Sequence, residues 1–303
     1  MSVRTRKLAV TEGIIAGTLF GTAAIFIRFM QSVDAFHIAF WRLLIACAVL
    51  AAILTFAKKS GLSTIRNRFK ELLLLGVFLG LHLIFFVSAV KDTTILNATV
   101  LVNTTPIFSM IVSSFAFKLK PSRLAVFGLA ISFIGVCVIG YAESVVVAGN
   151  TSLVGTPNLK GDLEAILAAV VEAFYLNYGR KTRSQMSLLS AMIPIYIFAA
   201  LAVGVVSLPV GGKISILSIE PNMLLPLLGL GILPTAIAHS LYFSSLSNLK
   251  SFETATMALL EPIGATVLGV LVFAEVPDRR FVLGAVLVIF GLVFVAKEKL
   301  RKS

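Results

Sequence analysis

Charge is scarce in this sequence. Only 13% of its 303 residues are Asp, Glu, Lys or Arg, against roughly a quarter in a soluble globular chain. That deficit excludes an ordinary soluble multi-domain enzyme. Cysteine is nearly absent. Cys47 and Cys137 both fall in apolar runs, so no disulfide framework is indicated. The three histidines (37, 82 and 239) are scattered, and no H-E-x-x-H or paired-cysteine pattern occurs, so no metal site is expected. A G-x-x-x-x-G-K-S/T loop is missing as well, which argues against ATP-driven pumping by this chain. Nothing in the sequence calls for a cofactor.

Apolar residues take the place of the missing charge. They make up 58% of the chain, and the mean hydropathy is +1.00. Runs of spanning length lie near 9–29, 36–57, 72–90, 96–117, 123–142, 161–180, 190–210, 223–246, 253–274 and 280–297. Each is close to the roughly 20 residues that cross a bilayer as a helix. The first run follows Arg4, Arg6 and Lys7, but it is longer than a signal core of about 7–15 residues and reads as a retained span. The longest connection, 143–160, is expected to be an exposed external loop. It contains a weak glycosylation match at Asn150-Thr151-Ser152.

Ten spans put both termini on one side of the membrane. The termini and the loops on their side hold 19 Lys and Arg, and the opposite loops hold 6. The positive-inside rule therefore places both termini in the cytoplasm. The net charge of +12 belongs to loops facing an anionic leaflet, so a nucleic-acid partner is not implied. Membrane lipid and a small solute are the expected partners, and no feature sets an oligomeric state.

Spans 4–5 and 9–10 align without a gap at an offset of 156. Pro106 meets Pro262, Phe117 meets Phe273, Pro121 meets Pro277, and Gly128 and Gly135 meet Gly284 and Gly291. A repeat of five spans ends on the side opposite its start, so its second copy inserts upside down. Inverted repeats of this kind are typical of secondary transporters, whose site lies at the midplane between halves. The expected organisation is a first five-helix repeat over 1–142, a linker over 143–160 and a second repeat over 161–303.

Several local patterns resemble the EamA-type branch of the drug/metabolite transporter superfamily. They are Phe40-Trp41-Arg42-Leu43-Leu44-Ile45-Ala46 in span 2, Ala258-Leu259-Leu260-Glu261-Pro262-Ile263 in span 9, Phe273-Ala274-Glu275 after it, Lys160-Gly161-Asp162, and the Gly284–Gly291 spacing. One departure is Phe117-Lys118-Leu119-Lys120, where that family often has a glutamate. The resemblance implies an all-α bundle of ten helices around a central cavity. It also implies export or exchange of small metabolites, often amino acids or related amines, without ATP.

Ionisable groups inside spans are costly and mark candidate sites. Glu172 lies near the middle of span 6, with Tyr175 on its helical face; a carboxylate there suits a substrate ammonium or a proton. His82 lies in mid-span 3 with Phe85 and Phe86 one turn along, and Asn103 lies in span 4. These six are the expected solute contacts. Glu261 beside Pro262, and the repeat-related Pro106, are the expected coupling or gating positions. Pro262 has no N–H for the carbonyl of Ala258. Arg42 is expected to snorkel outward beside an interfacial Trp41, and His239 to sit toward the cytoplasmic end of span 8 in a structural role. Gly13, Gly17 and Gly21 form a ridge for close helix packing. The functional expectation is secondary transport of an amino-acid or amine-type solute. The alternatives are a nucleobase-like metabolite or drug as cargo, or a membrane enzyme acting on lipid.

Overall fold

The computed structural model describes residues 5–57, 62–148, 158–208, 220–273 and 279–297. Among them no strand occurs, and ten helical spans follow one another. Spans 2, 3, 5, 6, 7 and 10 are continuous: Ala35–Ala57, Phe69–Asp92, Arg123–Ala148, Leu159–Gln185, Leu188–Ser207 and Arg279–Ala296. Four spans are interrupted. Span 1 breaks at Gly21 between Arg6–Phe20 and Thr22–Arg28, and span 4 breaks between Ile95–Val102 and Thr105–Phe115. Span 8 runs as Pro221–Leu230, then π-helical turns over Gly231–His239, then Ser240–Ser245. Span 9 runs as Ser251–Met257, a 3₁₀ turn Ala258–Leu260, then Glu261–Phe273.

Nine of the ten are long and apolar enough to cross a membrane, by length and composition. Span 6 has the length, 27 residues, but carries too many charged residues at its ends and Glu172 at its middle. Large apolar side chains such as Leu225, Leu271, Val282 and Phe127 remain exposed, which suits a surface whose solvent is lipid. The expected loop 143–160 needs correction at both ends. Span 5 continues as helix to Ala148, because Glu143–Ala148 contains no Gly or Pro to stop it. Span 6 begins at Leu159, where the Asn158 side chain accepts from Lys160 N. Asn150 of the glycosylation match and Glu275 of the family pattern lie outside the described residues.

Spans 5 and 10 form a closely packed antiparallel pair. A methyl group on Gly128 would stand 2.6 Å from the Gly291 carbonyl oxygen, and one on Gly135 would stand 2.6 Å from that of Gly284. Only glycine lets the two backbones come this near. The ridge on span 1 packs in the same way. A Cβ on Gly17 would lie 1.9 Å from the Met257 carbonyl, which sets span 1 directly on the break in span 9.

Two polar clusters tie spans together at opposite ends of the bundle. On the face of the termini, Arg6 of span 1 bonds to the fully buried Glu253 of span 9 and donates to the Ala296 carbonyl at 3.1 Å. On the other face, Asp162 of span 6 accepts from Thr93 Oγ1 at 2.8 Å and from Asn97 Nδ2 of span 4 at 3.2 Å. Arg6 and Asp162 are 156 positions apart, and so are Asn97 and Glu253.

Candidate functional site

Proline at the first turn of a helix loses nothing, because the N–H it lacks has no partner there. Pro106 and Pro262 each occupy such a turn, directly after the breaks in spans 4 and 9. They start a new segment instead of bending a continuous one. The breaks fall at Asn103–Thr104 and Ala258–Leu260, equivalent places in the two halves, and both border a central cavity.

That cavity has a volume of about 50 Å³, well below the roughly 300–1,000 Å³ of ordinary small-molecule pockets. It is too small to admit an organic molecule unless the surrounding spans move apart. Its walls come from spans 1, 2, 3, 4, 6, 8 and 9. Of the expected site residues, Glu172, His82, Phe86, Asn103, Pro106 and Glu261 line it. Tyr175, Phe85 and Pro262 do not. Tyr175 is fully buried in the core, its hydroxyl 3.8 Å from Met192 Sδ and its ring 5.9 Å from that of Phe243. Sharing a helical face with Glu172 was not enough, because neighbouring spans cover that face one turn further along. Phe85 packs against an apolar cluster that Trp41 also borders, and Pro262 is buried away from the cavity lining.

Two residues expected to be peripheral stand in the wall. Arg42 does not snorkel outward. It is 1% exposed, its Nε donates to Thr235 Oγ1 at 2.9 Å, and its Nη1 is buried without a hydrogen-bond partner. His239 lies on the cavity with its ring 4.8 Å from Phe20 and 6.1 Å from His82. The π-helical turns explain the second correction. They wind more residues into each turn than an α-helix, so a position counted as near the end of span 8 stays at the level of the cavity. Tyr242 and Phe20 add aromatic edges, in contact at 5.1 Å.

The cavity gathers ionisable groups of both kinds without direct hydrogen bonds between them. Glu172 and Glu261 are 4% and 7% exposed. His82 Nδ1 donates to the Ala168 carbonyl at 3.0 Å, since a carbonyl can only accept; the ring nitrogen facing away, Nε2, is then an acceptor in the neutral ring. The same Nδ1 is 3.7 Å from Glu172 Oε2, beyond hydrogen-bond reach, and Oε2 is buried without a partner. Among the described residues Arg42 makes no ion pair within 4.0 Å with either carboxylate. The cavity thus brings together one fixed cation, two carboxylates and two imidazoles, with free donor and acceptor atoms on Arg42 and Glu172.

A bundle of ten spans, broken at matching places around a charged cavity, defines a polytopic membrane carrier. The chain belongs to the EamA-like transporter family, which matches residues 7–141 and again residues 159–297. It is 28% identical over 298 residues to an "Uncharacterized transporter" of Archaeoglobus fulgidus, covering 96% of each chain. It is 29% identical over 274 residues to the "Uncharacterized transporter YdfC" of Bacillus subtilis, covering 85% of this chain and 80% of the relative. A solved structure titled "Crystal structure of protein" shares the fold with a TM-score of 0.79, at 19% identity and 97% coverage of both chains. The protein is a membrane transporter, and the alternative of a lipid-modifying enzyme falls away.

Proposed function

We propose that this transporter is a secondary carrier of a small organic solute bearing an amine, of amino-acid or amine type, which it exports or exchanges across the cytoplasmic membrane. Both termini lie in the cytoplasm. The halves 1–142 and 161–303 open the cavity alternately to the two sides, moving about the paired breaks at Asn103–Thr104 and Ala258–Leu260.

One observation carries the substrate class: the buried oxygen of Glu172, without a hydrogen-bond partner midway along span 6. A carboxylate there has two low-cost states, protonated or charged against a cation. Arg42 stands in the same cavity but is turned to Thr235 and makes no direct pair with it. An ammonium brought by the solute fits the place, and a proton takes it between solutes. Asn103, His82 and Phe86 shape the remaining wall, and Glu261 is the coupling position beside the second break.

Counterflow in proteoliposomes tests this reading. Vesicles holding the purified chain and an unlabelled amino acid or amine should accumulate the same labelled compound from outside. Retention of nucleobases or other neutral heterocycles, with no amine-bearing compound exchanged, would contradict it.

A further inference from the structure

Arg42 has no task in the reading above, yet it is 1% exposed in the cavity wall. One hydrogen bond holds it from behind, and two more brace its partner Thr235. Its Nε donates to Thr235 Oγ1 at 2.9 Å, Thr235 Oγ1 donates to the Leu230 carbonyl at 2.6 Å, and the Tyr196 hydroxyl donates to the Thr235 carbonyl at 2.7 Å. The π-helical turns supply this backing, since Leu230 is five residues before Thr235. Arg42 Nε is therefore anchored to span 8, which span 7 braces through Tyr196, although the residue belongs to span 2.

The front is different. Nη1 is buried with no partner, on a residue that lines the cavity and is 1% exposed. A guanidinium cannot shed its proton to escape the cost, and a buried unpaired donor on a charged group is destabilising by more than a neutral one. Among the described residues no ion pair within 4.0 Å joins Arg42 to Glu261, although both line the cavity. A planar guanidinium held at Nε and without a partner at Nη1 suits a planar acceptor, and carboxylates meet arginine in that plane.

We propose that the unpartnered Nη1 of Arg42 binds the carboxylate of the transported solute, so that the cargo is a zwitterion of the α-amino-acid type and not a simple amine. This rests on the assignment of the ammonium to Glu172. Carboxylate and ammonium then compensate the one fixed cation and one of the two acids, and the side chain of the solute lies toward Phe20, Phe86 and Tyr242.

The test is ligand-dependent thermal stabilisation of the purified full-length chain, which rises with ligand concentration over Kd. The probes are leucine, leucinamide and 4-methylpentanoate, with the matching alanine and phenylalanine sets. At least one amino acid should stabilise the parent at concentrations about tenfold or more below its amide. Arg42→Gln should bring that amino acid to the level of the amide and leave the amide unchanged. Where Arg42→Gln does not fold, Thr235→Val keeps the charge but frees the guanidinium, and should weaken the amino acid several-fold without moving the amide. Amides that bind as well as amino acids, or an equal loss of both in the Arg42 or Thr235 variant, overturn the carboxylate site. In those outcomes the amine reading still stands if Glu172→Gln separates amide from carboxylate. Failure of every amine-bearing probe sinks both.

Discussion

The Ser132 hydroxyl donates to the Val288 carbonyl oxygen, 3.1 Å away, and the two residues are 156 positions apart, the offset that relates the halves. On either side Gly128 rests on Gly291 and Gly135 on Gly284, so each contact has a reciprocal one. Reciprocal contacts of this form are what a two-fold axis through an interface produces. A methyl group on Gly291 would lie 2.3 Å from the Gly128 carbonyl oxygen. Gly291→Ala should therefore destabilise the bundle by about 1–3 kcal/mol through overpacking. Ile134→Ala, on the lipid-facing side at 55% exposure, should cost much less. Thermal unfolding in detergent measures both, and equal melting temperatures would show that the pair separates freely.

The clusters at Arg6–Glu253 and Asp162–Asn97–Thr93 occupy equivalent places on opposite faces. If each closes its own face, Glu253→Gln should ease opening toward the termini and Asp162→Asn toward the other side. A cysteine replacing Ala23 in the cavity wall, in a background without Cys47 and Cys137, reports the change. Impermeant maleimide should label it up to about tenfold faster from the matching side only, as expected for loss of a hydrogen bond to a charged group. Equal effects from both sides would show general loosening instead.

Orientation has a direct chemical readout. With 19 basic residues on one side and 6 on the other, a cysteine at Asn150 should react with an impermeant reagent outside intact cells. A cysteine at the exposed Asn67, beside Arg66 and Arg68, should be protected. Reversed labelling would place the termini outside.

Pro106 and Pro262 begin helical segments at no hydrogen-bond cost. Replacing either with Ala lets the chain continue as helix through the break and should slow transport several-fold while changing stability by less than about 1 kcal/mol. Unchanged counterflow at equal folded protein would show that the breaks persist without proline or do not move.

The ten spans were legible because a bilayer-length apolar run leaves few alternatives, and boundaries agree within a few residues except where helices outrun the apolar stretch, at Ala148 and Gln185. Glu172, His82, Asn103 and Glu261 were legible as polar groups deep in those runs. Arg42 was not. Its position about six residues inside span 2 permitted snorkelling, and only the neighbouring Thr235 and Tyr196, brought from spans 7 and 8, show why it turns inward. His239 was missed because π-helical turns change the depth of every later residue in span 8. Tyr175 failed for the converse reason: helical spacing gives a face but not what covers it.

The central claim is that Glu172 receives the ammonium of the cargo, and counterflow by Glu172→Gln tests it most directly. In the parent, lowering pH should weaken amine-bearing solutes, because a proton competes with the ammonium for one carboxylate, and raising pH should restore them. The Gln variant keeps size and hydrogen bonding but not charge. It should weaken those solutes by about 1.5–3 kcal/mol, the worth of a hydrogen bond to a charged group, and flatten the pH profile. Counterflow of amine-bearing solutes by the Gln variant equal to the parent at every pH would contradict the account.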